Sequence, residues 1–218
     1  MSSSGHDGAP AAAAGAQDAR VVRGSRSRLV RELAWRRMDV PGIEYFRLWE
    51  SAAGPRLTGT VILAQAGSPC RLKYAVACAP DWTTLGVHVA LTQSAETRHV
   101  KLTAGDSGGG WRWRRGADEM PEVAGCRDVD LAFTPSTNIL PLRRLGLAPG
   151  ESRQVTAAWL RFPELTVEPL AQRYTRLDER RVQYESRGGA FTAELEVDEL
   201  GLVVRYPPAW ERVALGQA

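Results

Sequence analysis

The segment "AFTAELEVDELGLVVRYP" (residues 190–207) alternates with a period of two. Phe191, Ala193, Leu195 and Val197 fall on one side, and Thr192, Glu194, Glu196 and Asp198 on the other. An extended chain sends successive side chains to opposite faces, so the first set belongs on a packed face and the second in water or a polar cavity. Gly201 supplies a turn, Leu202, Val204 and Tyr206 resume the pattern, and "YPPAW" ends it because prolines cannot donate to a ladder. The spacing predicts a β-hairpin.

Upstream the same texture repeats. Short β-like runs such as "EYFRLWES", "RLTGTVILAQ", "CRLKYAVAC", "TTLGVHVALTQ" and "TRHVKLTA" are separated by Gly/Pro/Asp clusters. Linkers of hairpin length without strand–helix alternation predict a mainly β protein built as one antiparallel sheet system. "RLVRELAWRRM" (residues 28–38) is the exception. Leu29, Leu33 and Met38 lie near one helical stripe, so it is expected to form a short helix lying over the edge of the sheet or plugging its hollow. The Ala/Gly-rich leader predicts a disordered tail over residues 1–27, followed by one β-rich domain over 28–218.

Composition narrows the function classes. The 218 residues are 44% hydrophobic and 24% charged, with a net charge of +3. Only Lys73 and Lys101 of the 28 basic residues are lysines. Basic and acidic residues interleave, as in "RLDERR", which predicts no clean cationic face and no nucleic-acid partner. No apolar run reaches the roughly 20 residues that span a bilayer, and the leader lacks a signal-peptide core. A cytoplasmic location is expected. Cys70, Cys78 and Cys126 form no metal-ligand spacing and read as free buried thiols. The sequence shows no nucleophile elbow, zinc-binding helix or phosphate loop, and no metal or cofactor is expected.

The chemistry concentrates in "GCRDVDLAFTPSTNILPLRRL" (residues 125–145). On a strand, Asp128 and Asp130 point the same way about 6.5–7 Å apart. Like charges so placed need a cation, and Arg143 and Arg144 are the nearest in sequence. A structural lock, the polar end of a ligand site and a catalytic carboxylate pair all fit. "TPSTN" reads as a turn held by its own side chains, with Asn138 also able to face a ligand. In "GGGWRWRR", Trp111 and Trp113 share a face and suit either a core or a stacking platform.

Taken in order, "GWRWRRG", the 125–145 string, "QRYTRL" with "YES", and "FTAELEVDELGLVVRYPPAWERV" resemble a bacterial family described as glycolipid-binding, formerly a domain of unknown function. The string matches at Asp128, Asp130, Thr134, Pro135, Thr137, Asn138, Leu140, Pro141, Arg143 and Arg144. Leu142 departs where isoleucine is usual, and the leader before Arg20 is atypical. The resemblance implies a strongly curved half-barrel, like that of lipoprotein carriers, with a glycolipid as partner. On this reading the protein is a non-catalytic binder. Val61/Leu63 and Val87/Val89/Leu91 would line an apolar groove, and Trp111, Trp113, Asp128, Asp130, Asn138, Arg143 and Arg144 would orient the head group. The rival is a carbohydrate hydrolase using Asp128 and Asp130, with Glu194 or Glu196 opposite. Oligomeric state is not legible.

Overall fold

The computed structural model describes residues 27–65 and 67–216. Apart from Ser27, the expected tail therefore lies outside the described residues. The first half of the chain forms β1 (Arg28–Arg37), β2 (Gly42–Glu50), β3 (Arg56–Gln65), β4 (Ser68–Cys78), β5 (Thr84–Gln93), β6 (Glu96–Asp106), β7 (Trp111–Arg115) and β8 (Asp118–Glu119). The second half adds β9 (Asp128–Leu131), helix α1 (Ile139–Leu145), β10 (Ser152–Leu160), β11 (Val167–Arg176), β12 (Arg181–Ser186), β13 (Phe191–Val197), β14 (Val203–Tyr206) and β15 (Trp210–Gly216).

Among the described residues, all strands join one 15-stranded curved, unclosed sheet. The first strand lies in the middle of it; the chain meanders outward to β8, crosses back, and meanders from β9 to β15, which pairs with β1. Every pairing is antiparallel except β9 with β10. The β9 end docks on the start of β5, where the Thr84 amide donates to the Arg127 carbonyl at 2.9 Å.

Alternation decides what faces inward. Across β2, β3, β4 and β5, the register aligns Glu44, Val61, Leu72 and Leu91 in one inward row, and Phe46, Gly59, Tyr74 and Val89 in the next. Gly59 has a packing role: a Cβ there would clash with the Tyr74 phenol, coming within 2.6 Å of the hydroxyl and closer still to Cε1. In the final hairpin the alternation slips by one residue. Val197 pairs with Val203 and Glu196 with Arg205, leaving Val204 in a bulge. Val203 is therefore the buried residue, while Tyr206 still points inward.

Residues 28–37 form a strand, not the expected helix. "RLVRELAWRR" also contains Leu33 and Trp35 two apart, and both are buried. Hydrogen bonds to β2 on one side and β15 on the other favour the extended form over a helix packed by one apolar stripe. The Trp35 indole adds a bond to the Val203 carbonyl at 2.7 Å.

The crossover packs into the hollow. Val123, Leu131, Phe133, Ile139 and Leu140, all at most 1% exposed, pack from this segment into the core. The rows expected to line an open groove, Val61/Leu63 and Val87/Val89/Leu91, are at most 3% exposed and belong to the same core. Arg98 and Arg115 clamp the loop between β10 and β11 through the carbonyls of Pro163 (2.7 Å) and Leu165 (2.6 Å).

Replacing Gly59 by alanine should lower stability by about 1–3 kcal/mol through overpacking against Tyr74. The urea midpoint of the variant measures this, and an unchanged midpoint would contradict the close approach.

Candidate functional site

The crossover carries the polar string into the hollow. After β9, Pro135 starts a single 3-10 turn (Ser136–Asn138) that runs into α1. Pro141 is tolerated because it sits in the first helical turn, where its missing N–H has no helical acceptor. Gly146 ends the helix in the left-handed region (φ 56°), its amide bonding the Leu142 carbonyl. The Thr137 hydroxyl accepts the Leu131 amide at 3.2 Å, and the Asn138 amide donates to the Pro135 carbonyl at 3.0 Å. The corner is held by its own side chains.

Two carboxylates anchor it. Asp128, 1% exposed, receives a two-pronged bond from Arg144: Nε to Oδ1 at 2.9 Å and Nη2 to Oδ2 at 2.5 Å. This ties α1 to β9. Asp128 also pushes the neighbouring Cys78 and Cys126 thiols up, second to burial. The other anchor is Glu44, fully buried on β2. Its Oε1 accepts the Tyr74 hydroxyl at 2.5 Å and the Thr134 hydroxyl at 2.9 Å, and Ser136 lies 2.7 Å from the Tyr74 oxygen. Oε2 is buried without a partner. Burial pushes the Glu44 carboxyl up to about 8, against the opposing pull of the Tyr74 and Thr134 bonds. At neutral pH it therefore holds its proton.

Beside this corner the hollow stays open. A cavity of about 290 Å³ lies between Asp130, Thr134 and Asn138 on one side and Tyr184, Phe191 and Tyr206 on the other. Arg37, Asp39, Trp159 and Arg187 also line it. Asp130 Oδ2 accepts from Gln172 Nε2 at 2.6 Å, and that nitrogen lies 3.1 Å from the Tyr184 hydroxyl. Tyr174 reaches Asn138 Oδ1 at 3.2 Å. Burial pushes Asp130 up to about 6, with the Gln172 bond opposing it. The three rings of Tyr184, Phe191 and Tyr206 meet edge-on or tilted at centroid distances of 6.0–6.2 Å. Arg187 lies over Trp159 at 5.2 Å, and Arg37 lies over Trp210 at 5.3 Å while forking onto Asp39. Aromatic edges, hydroxyls and the Asp130 carboxylate around a small hollow, with Asp39 tied up by Arg37, can grip a polyhydroxylated group.

The chain matches the model of the family described as "Putative glycolipid-binding" over residues 32–212. The chain belongs to this family. It is also similar to a crystal structure of a DUF1089 family protein from Pseudomonas aeruginosa, with 31% identity and a TM-score of 0.69. That match covers 78% of this chain and 92% of the other. No curated protein matches.

Of the residues singled out in this family member's sequence, Asp130 and Asn138 meet in the cavity. Asp128 and Arg144 are spent on each other. Arg143 lies on Trp82 at 5.2 Å, at the far end of α1. Trp113 is fully buried, its indole bonded to the Cys126 carbonyl at 2.7 Å. Trp111 packs on the core edge under Arg127, with its Nε1 buried and unpartnered. The hydrolase constellation does not assemble: Asp128 is sealed by Arg144, and Glu194 and Glu196 are exposed on the opposite face from the cavity. Among the described residues no cluster of His, Cys, Asp or Glu suits a metal, and no helix is long and apolar enough to cross a membrane.

Sequence reasoning missed Glu44, Gln172, Tyr184 and Tyr206. Glu44 did carry a signal, as a carboxylate in phase with the apolar positions Phe46 and Leu48. Gln172 shares its phase with Leu170 and Tyr174 in the same way.

Asp128→Asn should cost about 2–4 kcal/mol, because it leaves the Arg144 guanidinium half-buried and unpaired. Arg143→Ala should cost less than about 1 kcal/mol. Urea unfolding of both variants tests this, and equal losses would refute the lock. Glu44 adds a pH signature. Its native pKa exceeds the unfolded value, so the folded state retains a proton that the unfolded chain releases. Stability from this group is full below about pH 4.5, falls as pH rises, and levels off above about 8. Glu44→Gln should flatten the decline above about pH 6, whose slope is at most about 1.4 kcal/mol per pH unit. A series of urea midpoints against pH reads it directly.

Proposed function

We propose that the protein binds the sugar head of a glycolipid without turning it over, and that the cavity beside the Thr134–Asn138 corner is where the head sits. The observation that carries this reading is Asp130: a carboxylate at the floor of a small hollow, hydrogen-bonded to Gln172 and faced by tyrosine and phenylalanine rings. Carboxylate and amide groups take paired sugar hydroxyls, and ring faces take the apolar side of a pyranose. Family membership supports the ligand class.

The acyl part needs a place other than the one the sequence suggested, since the apolar rows of β3 and β5 are consumed by the core. Phe191, 36% exposed, lines the cavity from β13, and Met38, 51% exposed, lies in the β1–β2 turn between Arg37 and Asp39, two residues of the lining. The tail thus leaves over the rim, not through the centre of the sheet.

Alkyl glycosides such as octyl glucoside and octyl maltoside, below their micellar concentrations, are suitable probes, with a sugar-free alkyl phosphocholine as control. Titration calorimetry should show binding of the glycosides only. Asp130→Asn should weaken it about tenfold, the worth of a charge-assisted hydrogen bond. Because the carboxylate accepts best when ionised, wild-type affinity should rise as pH passes about 6, and Asp130→Asn should abolish that rise. Equal binding of the sugar-free control, or wild-type affinity in Asp130→Asn, would overturn the reading.

A further inference from the structure

The outer face of β2–β6 is cationic and carboxylate-free, although the sequence interleaves the two signs. The register sends Arg56, Arg71, Lys73, His88, His99 and Lys101 outward, and all six are exposed. Glu44, Glu50, Glu96 and Asp106, the carboxylates on these strands, take the opposite parity. The expectation of no clean cationic face fails for this reason: strand alternation sorts by position parity, not by composition. Glu32 on β1, bonded to the Tyr45 hydroxyl at 2.7 Å, marks one border, and the Arg112–Glu119 pair at 3.5 Å marks the other.

The same face exposes apolar side chains where a solvated sheet would carry polar ones. Ile43 and Ile62 are direct cross-strand partners, 49% and 52% exposed, with Arg71 next in the row. Tyr45, 47% exposed, and half-buried Trp49 flank Arg47, whose guanidinium lies 5.5 and 5.2 Å from the two rings. Met38 and Asp39 continue this edge round the β1–β2 turn to the cavity.

We infer that this face docks the protein on an anionic lipid surface. Basic residues provide attraction to acidic head groups, while tyrosine, tryptophan and isoleucine side chains enter the interfacial layer. Charge alone would serve a nucleic acid equally well. The isoleucine pair decides between them, because it gains nothing against a phosphate backbone and is desolvated by acyl chains. The inference does not rest on sugar recognition: docking depends on the outer face and would persist with the cavity empty or disabled.

The test uses the full chain with phosphatidylglycerol/phosphatidylcholine vesicles and with pure phosphatidylcholine vesicles, read by flotation. The protein should float with the anionic vesicles only and be released by about 0.5 M salt, where screening lengths shrink to a few ångströms. Lys73→Glu and Lys101→Glu should each weaken binding at least about fivefold, the effect of one charge near such a surface. Ile43→Ser/Ile62→Ser should weaken it further at unchanged charge, while Arg173→Glu on β11 should leave it intact. Thermal melts establish that each variant is folded, and the wild-type comparison of the two lipids stands without them. Equal flotation with both lipids, no flotation with either, or undiminished binding by the charge reversals would overturn the inference. So would a nucleic acid bound as tightly by the isoleucine variant as by wild type, or a solution dimer that the isoleucine substitutions dissolve.

Discussion

A curved sheet that does not close has an apolar concave side and cannot leave it in water. Every other feature of this protein follows from how that side is covered. Two halves of the chain each present inward rows of valine, leucine and aromatic residues, and the link between them folds back as the filling. The filling brings polar backbone into an apolar space, where unpaired groups are costly. Thr134, Thr137 and Asn138 satisfy backbone groups of the segment locally, and the Asp128–Arg144 fork and the Glu44–Thr134 bond hold the filler to β9 and β2.

The cavity is the remainder of that covering. The crossover packs its apolar side chains into the core, and beside its Thr134–Asn138 corner the side of the hollow formed by β12–β14 keeps an opening. A rigid corner forms one of its walls. Thr134 belongs to both the anchor and the cavity, which places the protonated Glu44 immediately behind the wall. Cavity-lining groups and stabilising groups are thus adjacent but distinct: Asp128 and Asp130 are two residues apart on one short strand, one sealed in an ion pair and the other lining the hollow.

The outer surface follows the same parity. A strand residue that does not face the core faces water, so each strand writes half its sequence on the outside. On β2–β6 that half is basic with an isoleucine pair, whereas on β12 and β13 it includes Glu194 and Glu196 facing Arg181 and Arg205. Linear charge counts average over both faces and hide such sorting.

Period-two patterning by itself determined that the protein is a β-sheet with hairpin links, and it put Phe191, Ala193, Leu195 and Val197 in phase correctly, because alternation is a local property of an extended chain. The three cysteines read as free and buried for the same reason, being small apolar side chains at inward positions. Only the tertiary structure decided the state of residues 28–37, whose pattern fits helix and strand alike until β2 and β15 supply hydrogen bonds on both edges. It also decided which of two like carboxylates is locked and which is available, since that depends on Arg144 and Gln172 arriving from α1 and β11. Contacts between residues far apart in the chain carry no local periodicity, and the site is made of them.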